Sequence, residues 1–267
     1  MSEVAEVSEV TEVIDQSNKI FWDELCGTGL AEQLGIYDFS EPSLSIFDQW
    51  YFDIYPYLAG YFDQLALAGN NVLEIGLGYG TASTYLAKKS ANYFAADIAQ
   101  GPVDVVNTRL GYLGRPRQAT VQSCHNLNFP DAFFDNVVSI GCFHHTGSVE
   151  KCINEAFRVL KPGGKLLFMC YNKHSWRMLK KSLFTVFLNP KNPVRLLPDD
   201  AYLYDANSDA EAAPFTELAS VSHYKKLCAK FSSVQIRREN WDGSLRKLFL
   251  NNIAKILGLD LYVICTK

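Results

Sequence analysis

Glu74, Gly76, Gly78 and Gly80 occupy alternate positions at the end of a short apolar run, Val72-Leu73-Glu74-Ile75. Such a run reads as a buried strand. Glycines at its end admit positive φ and let a ligand lie against bare backbone. A helix pattern begins at Thr81 and Ala82. Its first N–H groups and the positive end of its dipole would point at that ligand. A turn of this kind, at the carboxyl end of a strand, is where open α/β sheets bind ligands. The spacing is G-x-G-x-G, not the dinucleotide fingerprint G-x-G-x-x-G. Taken alone, it is also compatible with a plain tight loop.

A second chemical group sits about twenty residues past the first glycine. Tyr93-Phe94-Ala95-Ala96 reads as a second strand and ends in Asp97. One βαβ unit brings an acid at that distance beside a ribose, whose hydroxyls a carboxylate can accept. Ile98 follows as an apolar surface for the base. Capping the helix expected over Pro102–Leu113 is the competing role for Asp97, and the gap is long for it. A third group is the pair His144-His145, beside Gly141 at the end of Phe134–Ile140, the fourth strand in this reading.

The elements that must position these groups follow in order. Thr81–Lys89 reads as the first crossover helix and Gln118–Gln122 as the third strand, followed by the loop Ser123-Cys124-His125-Asn126. A helix from Ser148, its cap, to Leu160 stops at the turn Lys161-Pro162-Gly163-Gly164. Lys165–Tyr171 is the fifth strand. Upstream, residues 1–15 carry Glu3, Glu6, Glu9, Glu12 and Asp15 with no Lys or Arg and are expected as a mobile acidic tail. Residues 16–68 are helical and rich in aromatics. Trp50, Tyr51 and Tyr55 share one helical face and are lid candidates, against the plainer alternative of core packing.

The totals restrict the function classes. At 267 residues, one α/β domain with insertions is the simplest count, here residues 69–267 behind the tail and lid. Net charge is −4, but the five acids at the amino end account for it and the body is near neutral. A large electrostatic nucleic-acid footprint is not expected. No stretch is apolar and long enough for a membrane span, and no signal-peptide pattern opens the chain. Seven dispersed cysteines without C-x-x-C suggest reduced thiols and a cytoplasmic location. The histidines at 125, 144, 145, 174 and 223 lack a coherent ligand spacing, so no metal site is expected.

Together, Val72–Gly80, Asp97, Phe129-Pro130-Asp131 with Phe134-Asp135, His144-His145 and Arg158–Gly164 resemble the class I S-adenosylmethionine-dependent methyltransferases. Within them the chain is most similar to the small-molecule branch that includes quinone-ring and sugar methyltransferases. The resemblance covers about residues 70–172. It implies a Rossmann-like sheet of seven strands, mostly parallel, with helices on both faces and an antiparallel final strand. Val234–Glu239 and Asp260–Cys265 fit the sixth and seventh strands, joined by a Ser244–Leu257 helix. The resemblance also implies S-adenosylmethionine as cofactor, leaving as S-adenosylhomocysteine. Glu74, Gly76, Gly78 and Gly80 would hold its methionine end and Asp97 its ribose. Ile98, Ser123, Cys124, Ile140 and Gly141 would surround the adenine. The family usually has an acid where Ser123 stands.

Between the fifth and sixth strands lies an insert of about residues 173–218, longer than a crossover needs. His174–Leu188 forms an amphipathic basic pattern, a substrate cap or a membrane-surface helix. Tyr171 just before it, and Trp176 and Tyr204 within it, are candidates for touching substrate. Tyr202, Tyr204, Asp205, Asn207 and Asp209 form a polar, aromatic loop that could reach substrate, although most of it reads as solvated.

Methyl transfer from a sulfonium is an in-line displacement that needs donor and nucleophile held close, and often a base. Histidine suits a hydroxyl nucleophile near neutral pH. His144 or His145 is therefore the expected general base of an O-methyltransferase acting on a small organic molecule, with a pocket-shaping role as the alternative. Carbon methylation of an activated ring or enol is the alternative reaction. A non-catalytic cofactor-binding partner protein is less favoured, as is a nicotinamide dehydrogenase. A monomer or homodimer is expected.

Overall fold

The computed structural model describes residues 3–25, 28–179, 205, 212–240 and 255–267. Its centre is one seven-stranded sheet, in the order β3-β2-β1-β4-β5-β7-β6. The strands are β1 (Asn71–Ile75), β2 (Asn92–Asp97), β3 (Ala119–Val121), β4 (Phe134–Ile140), β5 (Leu160–Tyr171), β6 (Ser233–Glu239) and β7 (Asp260–Thr266). β1 pairs in parallel with β2 and β4, β2 with β3, and β4 with β5. β7 runs antiparallel to both β5 and β6. This is the Rossmann-like arrangement expected above. The Lys161–Gly164 turn is an excursion inside β5: Phe134 pairs with Leu160 and Asn136 with Lys165, so the register shifts around it.

Eight helices flank the sheet among the described residues: α1 (Glu3–Phe21), α2 (Thr28–Gln33), α3 (Glu41–Ile54), α4 (Leu58–Phe62), α5 (Thr81–Lys89), α6 (Gln100–Tyr112), α7 (Val149–Val159) and α8 (Val221–Leu227). α7 shows why the sequence folds this way. Val149, Cys152, Ile153, Ala156 and Val159 recur at helical spacing and are all buried. Ser148 caps it by accepting from Lys151 N–H. That face packs with Leu73, Val137 and Phe168 on one side of the sheet. Leu58, Phe62, Leu86, Val106 and Leu110 cover the other side, against Val72, Ala95, Val138 and Leu167. Strands buried on both faces are near-continuously apolar, as these are.

Residues 3–15, expected as a mobile tail, instead open α1. The helix docks through polar groups: Lys151 Nζ donates to Thr11 Oγ1 at 2.9 Å and Asn18 Nδ2 to His145 O at 2.7 Å. Ile14 rests on Gly147, where φ is +81° and an added Cβ would stand 2.6 Å from Ile14 Cδ1. A glycine there lets the helix approach the backbone. The expected 174–188 cap helix is described only to residue 179, with a helical turn from Trp176, and the expected 244–257 helix only over 255–257. The rest of both lies outside the described residues.

One ion pair ties the amino-terminal helices to the cofactor-type half. Arg109 of α6, only 5% exposed, donates from Nη1 and Nη2 to Asp48 of α3 at 2.9 and 2.8 Å. Asp48 Oδ1 also accepts from Thr81 Oγ1, the first residue of α5. Removing one partner of a buried pair leaves the other charge uncompensated, at a cost of about 3 kcal/mol or more. Asp48→Ala should therefore lower unfolding free energy by about 3 kcal/mol in urea titration. Adding Arg109→Met should recover part of that loss.

Candidate active site and its donor pocket

A cavity of about 610 Å³ opens at the carboxyl ends of β1, β2 and β4. Its floor is the glycine turn. Gly76, Gly78 and Gly80 all have positive φ, at 80°, 48° and 73°. At Gly76 a Cβ would lie 2.4 Å from Cys142 Cβ, so β1 and β4 can approach this closely only with glycine there. Gly76 N–H donates to Ala96 O at 2.9 Å, holding the turn against the end of β2.

Two buried carboxylates face the cavity. Asp97 Oδ2 accepts from Leu77 N–H at 2.7 Å and Oδ1 from Ala99 N–H at 3.0 Å. It is therefore the tie between the glycine turn and the approach to α6, not the side-chain cap of that helix. Burial pushes its carboxyl up to about 6, although hydrogen bonds from Ala99, Leu77 and Ile98 pull it down. Glu74 accepts from Tyr93 Oη. Burial pushes it up to about 7 against the opposing hydrogen bonds from Tyr93 and Ser83.

The structure brings together every residue carried over for the donor. Glu74 and the three glycines lie along one wall, and Asp97 with Ile98 along the next. Ser123 with Cys124 and Ile140 with Gly141 close the sides. Ser123 does not stand alone: its hydroxyl donates to Asp15 Oδ2 of α1 at 2.6 Å. A carboxylate thus reaches this loop from α1. Asp15, Asn18 and Trp22 all line the cavity and were missed in the sequence. Their i, i+3, i+7 spacing in the amino-terminal helical stretch is the signal that could have found them.

Of the lid candidates, Trp50, Tyr51, Tyr55 and Tyr171 line the cavity. Trp176 is half-buried outside the lining, so its assignment to the substrate wall is corrected. Tyr204 lies outside the described residues.

The histidine pair divides. Phe143–His145 is a single 3-10 turn in which the two rings stay in contact but only one of them lines the cavity. His144 is fully buried, lies outside the cavity lining and packs on Tyr171 and His145 at ring distances of 4.3 and 4.1 Å. Neither ring nitrogen has a hydrogen-bond partner among the described residues, and burial holds its pKa well below the ordinary range. It is a neutral packing group, and the general-base expectation for it is withdrawn. His145 lines the cavity. Its Nδ1 stands 2.7 Å from Phe215 O, which can only accept, so Nδ1 carries a proton. Its Nε2 lies 3.3 Å from Asp205 Oδ2. Tyr171 Oη donates to that same oxygen at 2.9 Å. Asp205, read from sequence as loop, is thus the carboxylate at the aromatic end of the cavity.

Residues 73–168 match the methyltransferase-domain family. A demethylmenaquinone methyltransferase of Clavibacter sepedonicus is 29% identical over 175 residues, 64% of this chain and 69% of that protein. A ubiquinone/menaquinone biosynthesis C-methyltransferase of Hydrogenovibrio crunogenus is 33% identical over 150 residues, 52% of this chain and 58% of that protein. The chain thus spans under two thirds of the length of the latter. It thus carries a methyltransferase domain over residues 73–168. Among solved structures, a Thermotoga maritima S-adenosylmethionine-dependent methyltransferase, titled a possible histamine N-methyltransferase, superposes with a TM-score of 0.54. The identity is 15%, over 82% of this chain and 94% of that one. A Haemonchus contortus phosphoethanolamine N-methyltransferase, solved with S-adenosylhomocysteine, gives 0.51 at 16% identity, over 75% and 50%.

The pocket fits S-adenosylmethionine, the cofactor that the sequence resemblance implies. Gly76 leaves the turn bare where a side chain would intrude. The two acids suit its two hydrogen-bonding ends: Glu74 for an ammonium group and Asp97, each oxygen holding one backbone N–H, for ribose hydroxyls. Both acids have folded values above their ordinary ones, so the ligand-free protein holds these protons more tightly than the unfolded chain. Their contribution to stability accordingly falls as pH rises from about 4.5 to about 7. A ligand that needs both carboxylates ionised binds in the opposite sense. Affinity for S-adenosylhomocysteine should rise with pH between 6 and 7, with proton release on calorimetric titration. Glu74→Gln should weaken binding at least roughly tenfold at pH 8, the scale of one charge-assisted hydrogen bond. It should also flatten that pH dependence.

Proposed function

We propose that this methyltransferase alkylates a ring carbon of a small hydroxylated aromatic of the hydroquinone kind. The observation that carries the reading is the Tyr171–Asp205–His145 group at the aromatic end of the donor cavity. Trp50, Tyr51 and Tyr55 offer flat apolar walls to an aromatic ring, and Met169 adds a polarizable one. The names of the relatives, demethylmenaquinone methyltransferase and quinone-biosynthesis C-methyltransferase, point the same way. Oxygen methylation with a histidine base, the first expectation from sequence, loses ground because His144 is sealed off and both nitrogens of His145 face oxygen atoms.

In this reading the cofactor supplies a methyl group on a positively charged sulfur that leaves as a neutral thioether. Asp205 accepts the proton of a ring hydroxyl, and the resulting phenolate makes the ring carbon beside it nucleophilic. His145 braces the Asp205 carboxylate: its Nδ1 is fixed by the Phe215 carbonyl and its Nε2 stands 3.3 Å from Asp205 Oδ2. Tyr171 donates to the same carboxylate and steers it toward the cavity. The aromatic helix α3 and Trp22 exclude water from the reacting face. The ring proton at the methylated carbon then leaves to restore aromaticity.

The test is an anaerobic assay with a naphthohydroquinone, a catechol and a simple phenol, with the product fragmented in a mass spectrometer to locate the methyl group. Carbon-methylated naphthohydroquinone is expected. Asp205→Asn should lower kcat about a hundredfold or more while leaving S-adenosylhomocysteine affinity unchanged. Methyl ethers as the sole products would restore the oxygen reading. Full turnover in Asp205→Asn would remove Asp205 from the chemistry.

A further inference from the structure

Behind the adenine side of the cavity lies a cluster that methyl transfer does not use. One ligand-type atom from each of Cys124, His125 and Cys152 falls within 4.8 Å of the other two. The two sulfurs stand 3.2 Å apart. His125, with its side chain 10% exposed, turns Nδ1 toward Asp15 Oδ2 at 3.5 Å. Its Nε2 is buried and has no hydrogen-bond partner among the described residues. Thr146 Oγ1 lies 3.2 Å from Cys152 Sγ. These residues come from the loop after β3, the first turns of α7, the end of the 143–146 turn and α1.

We infer that Cys124, His125 and Cys152 form a binding site for a thiophilic divalent cation of the zinc class. The donor set is soft sulfur plus imidazole, which selects such ions over magnesium or calcium. Two thiolates balance the charge of one divalent ion, so a neutral unit is buried. One donor already has the outer partner that a ligand needs: Asp15 backs the far nitrogen of His125, leaving Nε2 as the ligating atom. Cys142, whose thiol neighbours that of Cys124, or a water molecule supplies the fourth position.

Distances decide between an ion and a disulfide. Zinc–sulfur bonds of about 2.3 Å in a tetrahedron set the sulfurs about 3.8 Å apart, an opening of roughly half an ångström. A disulfide at about 2.05 Å needs the buried pair to close by more than 1 Å, and an oxidant as well. The ion is the smaller change. It would staple α1, α7 and the Ser123-Cys124 wall to one another, and so hold one side of the donor pocket. This inference stands independently of the acceptor.

The experiment is metal analysis and cobalt titration of the tag-free full-length chain, purified under reductant. One equivalent of zinc per chain is expected, with cobalt giving the near-ultraviolet thiolate charge-transfer band and the visible bands of a tetrahedral site. Cys152→Ser and His125→Ala should abolish both signals, while Asp15→Asn should weaken cobalt binding about ten- to a hundredfold. Cys228→Ser, at a buried thiol outside the cluster, should keep them, with circular dichroism verifying that each variant is folded. Folded, reduced wild type that takes up neither ion overturns the inference. Undiminished uptake by Cys152→Ser does so too, as does a mass spectrum showing Cys124 and Cys152 joined as a disulfide.

Discussion

The donor half of this enzyme depends on where the Asp97 carboxylate is held. Parallel pairing of β1 with β2 sets Ile75 beside Ala96, so Gly76, the first residue of the turn, comes level with Asp97, the last of β2. Asp97 then accepts one N–H from the glycine turn and one from the approach to α6. With both oxygens anchored, the turn keeps its shape before any ligand arrives, and little ordering is left for binding to supply. The cost is a carboxyl buried deeply enough to shift toward neutral pH. The same holds for Glu74, one strand over. Two acids kept out of water, beside bare glycine backbone, make a pocket that gains most from a ligand with donors at both ends.

The acceptor half rests on a different kind of construction. Its groups come mainly from α1, α3, the 143–145 turn and Asp205, with only Met169 and Tyr171 supplied by a strand, β5. Asn18 Nδ2 donates to His145 O, Trp22 Nε1 donates to Asn18 Oδ1, and the Trp22 ring lies 5.0 Å from that of His145. The amino-terminal helix therefore touches the same histidine that Asp205 and Phe215 hold from the other side. Displacing α1 would unsettle both the Ser123 loop and the polar end of the cavity at once.

This contrast explains what the sequence could and could not reveal. β1 to β5, the glycine turn and Asp97 were legible because each is specified locally: an apolar run, a residue that tolerates positive φ, an acid one βαβ unit later. α1 was not, because its described buried positions include Thr11 and Asn18, which composition scores as solvated. Its docking is earned through partners more than a hundred residues away. Asp205 was hidden in the same way, within a loop whose polarity looks like exposure. The histidine pair failed for a geometric reason. The two rings pack 4.1 Å apart, yet only His145 reaches the cavity while His144 is sealed in the core, a difference that two neighbouring residues of identical chemistry do not show in sequence.

The family match over residues 73–168 spans the glycine turn, Asp97 and the Ser123 loop, but neither α1 and α3 nor the residue 205–216 stretch. What the chain shares with that family is therefore the part that presents an activated methyl group. What decides the acceptor lies mostly outside it. An enzyme divided in this way can keep a rigid donor pocket on strand ends while its aromatic walls and proton acceptor vary on helices and an insert. Fold similarity at about 15% identity speaks for the fold alone and is silent on the acceptor. The acceptor has to be argued from Trp50, Tyr51, Tyr55, Tyr171 and Asp205 themselves. Flat apolar walls ending in a carboxylate fit a planar molecule with an acidic hydroxyl better than a sugar, whose many hydroxyls would find too few partners here.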